Sequence, residues 1–501
     1  MDIVINAFIM ILAVLCTIFG FATIAHAASA AQWKTRSIYQ VLTDRYARTD
    51  GSITAACDAG YLGYCGGTWA GITSKLDYIQ GMGFDAIWIS PVVEQVSDPA
   101  RAYHGYSAQN IYALNPHFGT ENDLKALVSA LHARGMYLMV DVVPNHFAFD
   151  GTAETTNYST FYPFNDRSYF HDICFITDWT NVTQIQRCWL GGDINPLPDM
   201  RTEDTNVRTM WNDWIKGFVS NYSLDGIRVD TAQNIEHEFF PGFGKAAGVF
   251  TLGEVASYYT QYQCEYQKYM DGVLGYAAYY TSHKFFNDTT ATPYNLIYDL
   301  INTTSVCKDP SLIGEFSENH DKPRFASYTQ DKSLAKNMIA YTMLKDGIPI
   351  IYQGQEQHYR GGEDPYNREP LWFSGYNVQA ELYTFVKQMN AIRKLAIDKS
   401  AQYIKAKTQV VYYDAHTVGM QKGASAAMTL TLLNNVGGAA ANYTVTIKSS
   451  MFAARAVVVD VLSCGESTVG RDRSLKATVS QGRPMVFYPK GLLSGTGWCG
   501  L

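Results

Sequence analysis

The sequence predicts an α/β protein built on a (β/α)8 TIM barrel, with a small domain inserted after the third strand and a C-terminal antiparallel β-sandwich. Three observations predict it. Short apolar segments alternate with helical patterns over about 350 residues. An excess of about 60 residues interrupts this alternation once. After residue 404, strands with alternating polarity replace the helices.

The barrel strands are predicted at eight short apolar segments: 37–43, 86–91, 137–143, 226–230, 249–254, 272–276, 312–316 and 348–352. The amphipathic stretches ITSKLDYIQGMG and DLKALVSALHARG between them predict helices, and Gly135 suits the end of the second. A doubly wound open sheet is the alternative. No GxGxxG motif follows the first strand, which favours the barrel.

Three domain ranges follow from this pattern. The barrel is predicted over residues 28–404, and residues 146–204 form the inserted domain, because a segment this long exceeds an ordinary βα loop. Residues 405–501 form the β domain, since QVVYYD, AMTLTLL, NYTVTIKSS, ARAVVVDVL and PMVFYPK alternate in polarity between turn residues.

Composition narrows the class of protein. A chain of 501 residues is too long for one simple core. Its net charge of −7 and pI near 5.9 argue against a nucleic-acid partner, which would require a basic surface. The 35 Tyr, 24 Phe and 9 Trp residues suit a carbohydrate cleft, although large cores also use aromatic residues.

The first 27 residues predict a secretory signal peptide. Residues 4–27 are almost wholly apolar and end in Ala25-His26-Ala27, which resembles a cleavage site. No Lys or Arg precedes the apolar core, and its length approaches a membrane span, so an uncleaved anchor is the alternative. The polar ending GTGWCGL lacks the apolar tail of a GPI signal. We expect a secreted monomer without stable membrane association after cleavage, and association with the cell wall is the alternative to a free extracellular enzyme.

The cysteines suit an oxidising compartment. Beyond Cys16 in the leader there are eight, which allow 105 pairings, and pairing of sequence neighbours is the simplest. None lies in a CxxC spacing, which disfavours a zinc site. Six glycosylation sequons also suit an extracellular glycoprotein, beginning at Asn157, Asn181, Asn221, Asn287, Asn302 and Asn442.

Three carboxylates occupy the positions where a barrel places its chemistry, the carboxyl ends of strands. Asp230 closes GIRVD, Glu254 closes VFTLGE, and Asp321 follows LIGEF. His146 and His320 lie at the same edge. Taken singly, each acid has a structural interpretation as a helix cap or as the partner of an arginine. Their convergence on one rim favours catalysis.

These motifs resemble a known family. DVVPNH, DGIRVDTAQN, GEV and ENHDKPR are similar to the four signature stretches of the α-amylase family, glycoside hydrolase family 13. The resemblance is nearest to the secreted fungal group of the Taka type. It extends over nearly the whole mature chain, through TDRYARTDG, CGGTWAGI, KLDYIQGMGFDAIWISPV, AYHGY, KAAGVF, FASYT and DGIPIIYQGQEQHY.

The resemblance implies a catalytic role for each acid. Asp230 would be the nucleophile, and Arg228, two residues earlier on the same strand face, would keep it ionised. Glu254 would be the general acid/base and Asp321 would stabilise the transition state. A retaining mechanism implies a separation of about 5–5.5 Å between the carboxyl groups of Asp230 and Glu254.

The resemblance also implies substrate and metal ligands. His104, His146 and His320 would hydrogen-bond the sugar, Tyr106 would stack on it, and Asp364 and Arg368 would form a further sugar-binding pair. Calcium would be held by the side chains of Asn145 and Asp199 and by the carbonyl groups of Gln186 and Asn234. Asn145 and Asp199 have a structural alternative, as loop hydrogen-bonding groups. The family's disulfides imply the pairs Cys57–Cys65, Cys174–Cys188, Cys264–Cys307 and Cys464–Cys499.

The chain departs from the family on the leaving-group side. Gln233 and Asn234 stand where a lysine and a histidine are usual, Ala256 and Ser257 replace a Leu-Asp pair, and Ser107 replaces a tryptophan. The expected function is hydrolysis of internal α-1,4 bonds in starch- or glycogen-type glucans. A 4-α-glucanotransferase of cell-wall glucan metabolism is one alternative. A non-catalytic binding subunit is another, which the presence of all three acids disfavours.

Overall fold

The structure is a computed structural model that describes residues 28–424 and 427–501. The predicted signal peptide, residues 1–27, lies outside the described residues. Within the described ranges, no helix has both the length and the apolar character needed to cross a membrane.

Eight parallel strands form the barrel, and each lies within a segment predicted from the sequence: β1 Ile38–Val41, β2 Ala86–Ile89, β3 Tyr137–Val142, β4 Gly226–Val229, β5 Phe250–Gly253, β6 Gly272–Val273, β7 Gly314–Phe316 and β8 Ile348–Tyr352. They pair in the order β6-β5-β4-β3-β2-β1-β8-β7. A parallel bridge between Leu274 and Gly314 joins the two ends and closes the barrel. The predicted (β/α)8 fold is confirmed.

Alternate residues of the strands enter two separate apolar clusters. Ile227 and Val229 of β4 pack in the large cluster that includes the surrounding helices. Ile38 and Met139 belong to a smaller cluster inside the barrel. Since side chains alternate across a strand, Arg228 faces the opposite side from Ile227 and Val229.

Helices surround the barrel. The predicted helix in DLKALVSALHARG extends over Glu121–His132, whereas ITSKLDYIQGMG forms two short helices, Trp69–Ser74 and Leu76–Gly81. The break follows from side-chain competition, because the hydroxyl of Ser74 donates to the carbonyl of Gly71 in the last turn. The other α-helices of the described residues are Ala30–Trp33, Thr43–Tyr46, Pro99–Ala102, Val182–Arg187, Thr205–Tyr222, Phe239–Ala247, Thr260–Glu265, Tyr276–Phe286, Tyr294–Val306, Phe325–Tyr328, Lys332–Leu344, Glu381–Lys399 and Gln402–Lys405.

The segment after β3 is irregular and lies over the carboxyl end of the barrel. It contains short 3-10 turns and the helix Val182–Arg187, and the Cys174–Cys188 disulfide closes it. A hairpin formed by Val93–Gln95 and Ala108–Leu114 was not predicted from the sequence. A bridge from Asn110 to Tyr162 joins this hairpin to the inserted segment.

The C-terminal region is an antiparallel sandwich, as predicted. A six-stranded sheet faces a two-stranded sheet across a shared apolar core that includes Leu430, Val445, Ile447 and Phe487. Its strands are β9 Gln409–Tyr413, β10 Thr417–Ala424, β11 Ala427–Asn434, β12 Tyr443–Ile447, β13 Val457–Asp460, β14 Gly465–Thr468, β15 Leu475–Val479 and β16 Met485–Pro489. Strands β10, β14 and β15 were not predicted from the sequence.

Four disulfides link neighbouring cysteines along the chain, the pairing that the family resemblance implies: Cys57–Cys65, Cys174–Cys188, Cys264–Cys307 and Cys464–Cys499.

Candidate active site

Three adjacent strands bring the central charges together at the carboxyl end of the barrel. Parallel pairing of β3 with β4 places Asp141 directly beside Arg228. Asp230 follows β4 and donates its backbone N–H to Val142, while Glu254 follows β5 and donates its N–H to Val229. Both acids are therefore fixed by the barrel ladder itself.

The guanidinium of Arg228 is the hub of this cluster. Its Nη1 lies 3.0 Å from both carboxylate oxygens of Asp141 and 2.6 Å from Oδ1 of Asp230. Its Nη2 lies 2.9 Å from Oε2 of Glu254. The Arg228 side chain is only 1% exposed, so these charged hydrogen bonds form away from water and are strong.

Two further donors hold Glu254. The hydroxyl of Tyr276 donates to Oε1 at 2.9 Å and the backbone N–H of Thr231 donates to Oε2 at 2.9 Å. Thr231 adopts a φ of 44°, which is unusual for a β-branched residue. Its hydroxyl also donates to Oδ2 of Asp230 at 3.1 Å. This strained residue thus contacts both acids.

A charge imbalance shapes the chemistry of this cluster, because one guanidinium serves three carboxyl groups. Burial raises the pKa of Asp230, Arg228 lowers it, and the neighbouring Glu254 and Asp141 raise it again, leaving it well above its usual range. Burial likewise raises the pKa of Asp141 to about 6, against the lowering effect of Arg228. The three carboxyl groups therefore favour keeping a proton among them, because one guanidinium cannot neutralise all three.

A second group surrounds Asp321. Nε2 of His320 lies 3.3 Å from Oδ2 of Asp321, and Nη2 of Arg368 lies 3.5 Å from Oδ1. Arg368 also pairs with Asp364 at 3.0 Å. The ring of Tyr106 stacks on that of His320, with 5.1 Å between centroids and 4° between planes. The Tyr106 hydroxyl donates to Asp141 at 2.8 Å, which connects the two groups.

The histidines line the same rim. Nε2 of His146 lies 3.3 Å from the carbonyl oxygen of Tyr106, and Nδ1 of His104 accepts from the N–H of Tyr106 at 3.0 Å. Burial lowers the pKa of His146 to about 4 and holds that of His320 well below its usual range, with Arg368 adding to the second effect. Both rings are thus neutral near pH 6 and serve as hydrogen-bonding groups.

Comparison with known proteins identifies the family. The α-amylase catalytic-domain profile matches residues 40–407 and the α-amylase domain C profile matches residues 410–501. The chain belongs to the α-amylase family. It is therefore a glycoside hydrolase, and the recognition made from its motifs is confirmed.

Individual fungal relatives agree. Alpha-amylase 2 of Schwanniomyces occidentalis is 46% identical over 478 residues, covering 95% of this chain and 94% of the relative. The alpha-amylase of Saccharomycopsis fibuligera is 43% identical over 464 residues and covers 92% of each chain. The structure of an alpha-amylase from Malbranchea cinnamomea superposes with a TM-score of 0.92 at 48% identity, covering 94% of this chain and 100% of that one.

Of the residues predicted to hold calcium in this α-amylase, Asp199 lies in the inserted segment and Asn234 lies in the turn after β4. Asp199 is fully buried, and its Oδ2 accepts from Nδ1 of His171 at 2.7 Å. Its Oδ1 has no partner among the described residues, and neither has the buried Oδ1 of Asn234. The Asn234 amide donates to the carbonyl of Ile185 at 3.0 Å, next to Gln186 in the chain.

Two cavities have lining residues next to Asp230 or Glu254 in the chain. The first is lined on one side by His104, Tyr106, His146 and Asp230 and on the other by the inserted segment. The second, of about 800 Å³, begins at Gln233 and extends along the loop after β5. The first cavity therefore reaches Asp230, and the second begins three residues further along the chain.

Three residues that contact the predicted acids or Arg228 were not predicted from the sequence. Asp141 opens the DVVPNH motif, and its place as a charged residue inside an apolar strand was the available signal. Tyr276 and Thr231 gave none, because their roles depend on a tertiary contact and on backbone conformation. His171, interpreted as structural, bridges Asp199 to Glu203 at 2.9 Å.

Proposed function

We propose that this α-amylase is a secreted enzyme that hydrolyses internal α-1,4 bonds of starch-type glucans with retention of configuration. The observation that carries the proposal is the placement of Asp230 and Glu254 on neighbouring nitrogens of one guanidinium. Two carboxyl groups held this close together suit the retaining separation of about 5–5.5 Å and leave little room for the water of an inverting enzyme.

The proposed reaction has two steps. In the first, a carboxylate oxygen of Asp230 attacks the anomeric carbon, and Glu254 gives its proton to the departing glycosidic oxygen. In the second, Glu254 takes a proton from water, whose oxygen bonds to the anomeric carbon and releases Asp230 as a carboxylate. Arg228 supports both steps, because it stabilises each acid while that acid is ionised.

The second group binds the sugar at the reacting centre. The neutral His104, His146 and His320 form hydrogen bonds with its hydroxyl groups, and the half-buried ring of Tyr106 packs against its ring. Asp321, whose side chain is 35% exposed and held by Arg368, accepts hydrogen bonds from further hydroxyl groups and stabilises positive charge at the anomeric carbon.

Time-resolved analysis of maltopentaose turnover tests this function. We expect shorter products from the start, with the newly formed reducing end released as the α-anomer in proton NMR spectra. Release of the β-anomer would overturn the retaining assignment. Early dominance of products longer than maltopentaose would assign a 4-α-glucanotransferase in place of a hydrolase.

We further propose a structural calcium ion bound by Asn145 and Asp199 side chains and by the carbonyl groups of Gln186 and Asn234. The unpartnered, buried oxygen of Asp199 supports it, because a buried carboxylate oxygen requires a hydrogen-bond donor or a cation. The ion would connect the inserted segment to the end of β4 and so stabilise the floor of the cleft.

Removal of calcium is expected to lower the melting temperature. At a calcium concentration of 100 times Kd, binding contributes about 2.7 kcal/mol, which a chelator removes and added calcium restores. Asp199→Asn should abolish this response in thermal unfolding, whereas Asp204→Asn, which removes an exposed partner of Arg201, should retain it. An unchanged melting temperature of the wild type in chelator would contradict the site.

An extracellular location for this enzyme is supported by its four disulfides, which persist in oxidising compartments. The monomeric state remains a prediction.

A further inference from the structure

The helix Tyr294–Val306 presents an aromatic face to solvent. Tyr294, Tyr298 and Ile301 are 71%, 59% and 55% exposed, which is unusual for side chains of this size. They lie four and three residues apart and therefore share one side of the helix. The rings of Tyr294 and Tyr298 are nearly parallel, with 12° between planes and 6.3 Å between centroids. A contiguous exposed apolar face of this kind indicates that another molecule or group covers it.

The opposite side of the same helix fixes this face in place. Leu296, Leu300 and Thr303 are buried. The disulfide Cys264–Cys307 ties the residue after the helix to the neighbouring helix Thr260–Glu265. Rotation of the helix would bring the tyrosine rings inward only by exposing the buried leucines to water, which is unfavourable. The aromatic face is therefore a permanent part of the surface.

A glycosylation sequon continues this face. The sequon Asn302-Thr303-Thr304 places Asn302 four residues after Tyr298, about one turn further along the same side. Asn302 is partly exposed. Its carbonyl accepts from the hydroxyl of Ser305 at 3.1 Å, whereas its side-chain amide has no protein hydrogen bond within the described ranges. The nitrogen to which an N-linked sugar is attached therefore lies beside the rings without a competing partner.

Of the six sequons, all within the described ranges, the other five lack this arrangement. Asn221 also lies on a helix, but its amide donates to Glu121 at 3.3 Å and the ring three residues before it, Phe218, is buried. Asn181 precedes the first residue of its helix, so no helical turn comes before it. Asn157 precedes a 3-10 turn, Asn287 follows a helix in which His283 is buried, and Asn442 precedes strand β12.

We propose that Asn302 carries an N-linked glycan whose core sugars pack on the rings of Tyr298 and Tyr294. This rests on the secretory location given under the proposed function. In the modification, Nδ2 of Asn302 bonds to the anomeric carbon of a lipid-linked oligosaccharyl diphosphate, as the bond from that carbon to the diphosphate oxygen breaks. The amide releases one proton to a base, and the lipid diphosphate leaves. The apolar faces of the sugar rings then cover the aromatic rings, while the sugar hydroxyl groups stay in water.

Peptide mass spectrometry of the full chain secreted by a yeast host tests the modification, and thermal unfolding tests the packing. We expect a glycan on Asn302, and Asn302→Gln should lower the melting temperature by about 2 °C. Asn442→Gln is the matched control, since it removes a sequon that lies outside any helix, and it should leave the melting temperature unchanged.

A double-mutant cycle separates a glycan contact from an effect on the helix itself. Tyr298→Ala should lower the melting temperature of the glycosylated protein by about as much as Asn302→Gln does. In the Asn302→Gln background it should leave the melting temperature unchanged or raise it, because alanine favours a helix more than tyrosine does.

A bare Asn302 in a protein whose other sequons carry glycans would overturn the modification. An equal effect of Tyr298→Ala in both backgrounds would overturn the packing. Binding to insoluble starch that Tyr298→Ala abolishes would assign the rings to a glucan chain in place of the glycan. Absence of glycans from all six sequons would overturn the secretory location together with this modification, whereas maltopentaose turnover would still test the proposed hydrolysis by itself.

Discussion

Replacement of Glu254 by Gln is expected to lower kcat/KM for maltopentaose by about 10²–10⁴-fold, the contribution of a positioned general acid. Glutamine keeps the shape of the side chain and can still accept from the Tyr276 hydroxyl, which lies 2.9 Å from Oε1. It cannot give a proton to the leaving sugar oxygen. The loss should therefore appear in turnover and leave the melting temperature close to that of the wild type.

A substrate that needs no proton on its leaving group distinguishes the role of Glu254 as an acid from a structural role. Fluoride needs no proton to leave, so the formation of the glycosyl-enzyme from α-maltosyl fluoride should lose far less than maltopentaose cleavage does. Glu381→Gln removes an exposed carboxylate paired with Lys336 and should match the wild type on both substrates. Retention of more than a tenth of the maltopentaose activity by Glu254→Gln would place the acid elsewhere.

The barrel could be predicted from the sequence because its strands are short apolar segments bounded by helical patterns. The strands that were not predicted lack this contrast between an apolar segment and its flanking sequence. β14 Gly465–Thr468 is polar and largely exposed, and the hairpin strand Ala108–Leu114 does not alternate regularly between polar and apolar residues. These segments form strands because they pair with neighbouring strands, and the local sequence pattern carries no information about that pairing.

In the candidate site too, some contacts could be predicted from the sequence and others could not. Arg228 and Asp230 share a strand face by period two, which the sequence displays directly. The link from Arg228 to Asp141 depends on the register between β3 and β4, 87 residues apart. The contact of Thr231 with Glu254 depends on a positive φ, for which a threonine gives no signal. Registers and strained dihedral angles belong to the tertiary structure.

Replacement of Arg228 by Lys is expected to lower kcat/KM by at least about 10²-fold, the cost of displacing a reacting group by about 1 Å. Arg228 uses two nitrogens to reach Asp141, Asp230 and Glu254 at once. Lysine offers one ammonium group without the planar fork, so it cannot hold all three carboxylates in place. Arg134→Lys, at an exposed ion pair with Asp77, is the matched control and should retain full activity.

The pH profile identifies the cause of that loss. Arg228 lowers the pKa of Asp230 and Asp141 raises it. Weakening the cation should therefore move the acid limb of kcat/KM to higher pH, because Asp230 must ionise before it can attack. Asp141→Asn removes a like charge and should move the same limb to lower pH. Opposite shifts in the two variants are specific to an electrostatic role, since a general loss of packing would slow both enzymes without moving either limb.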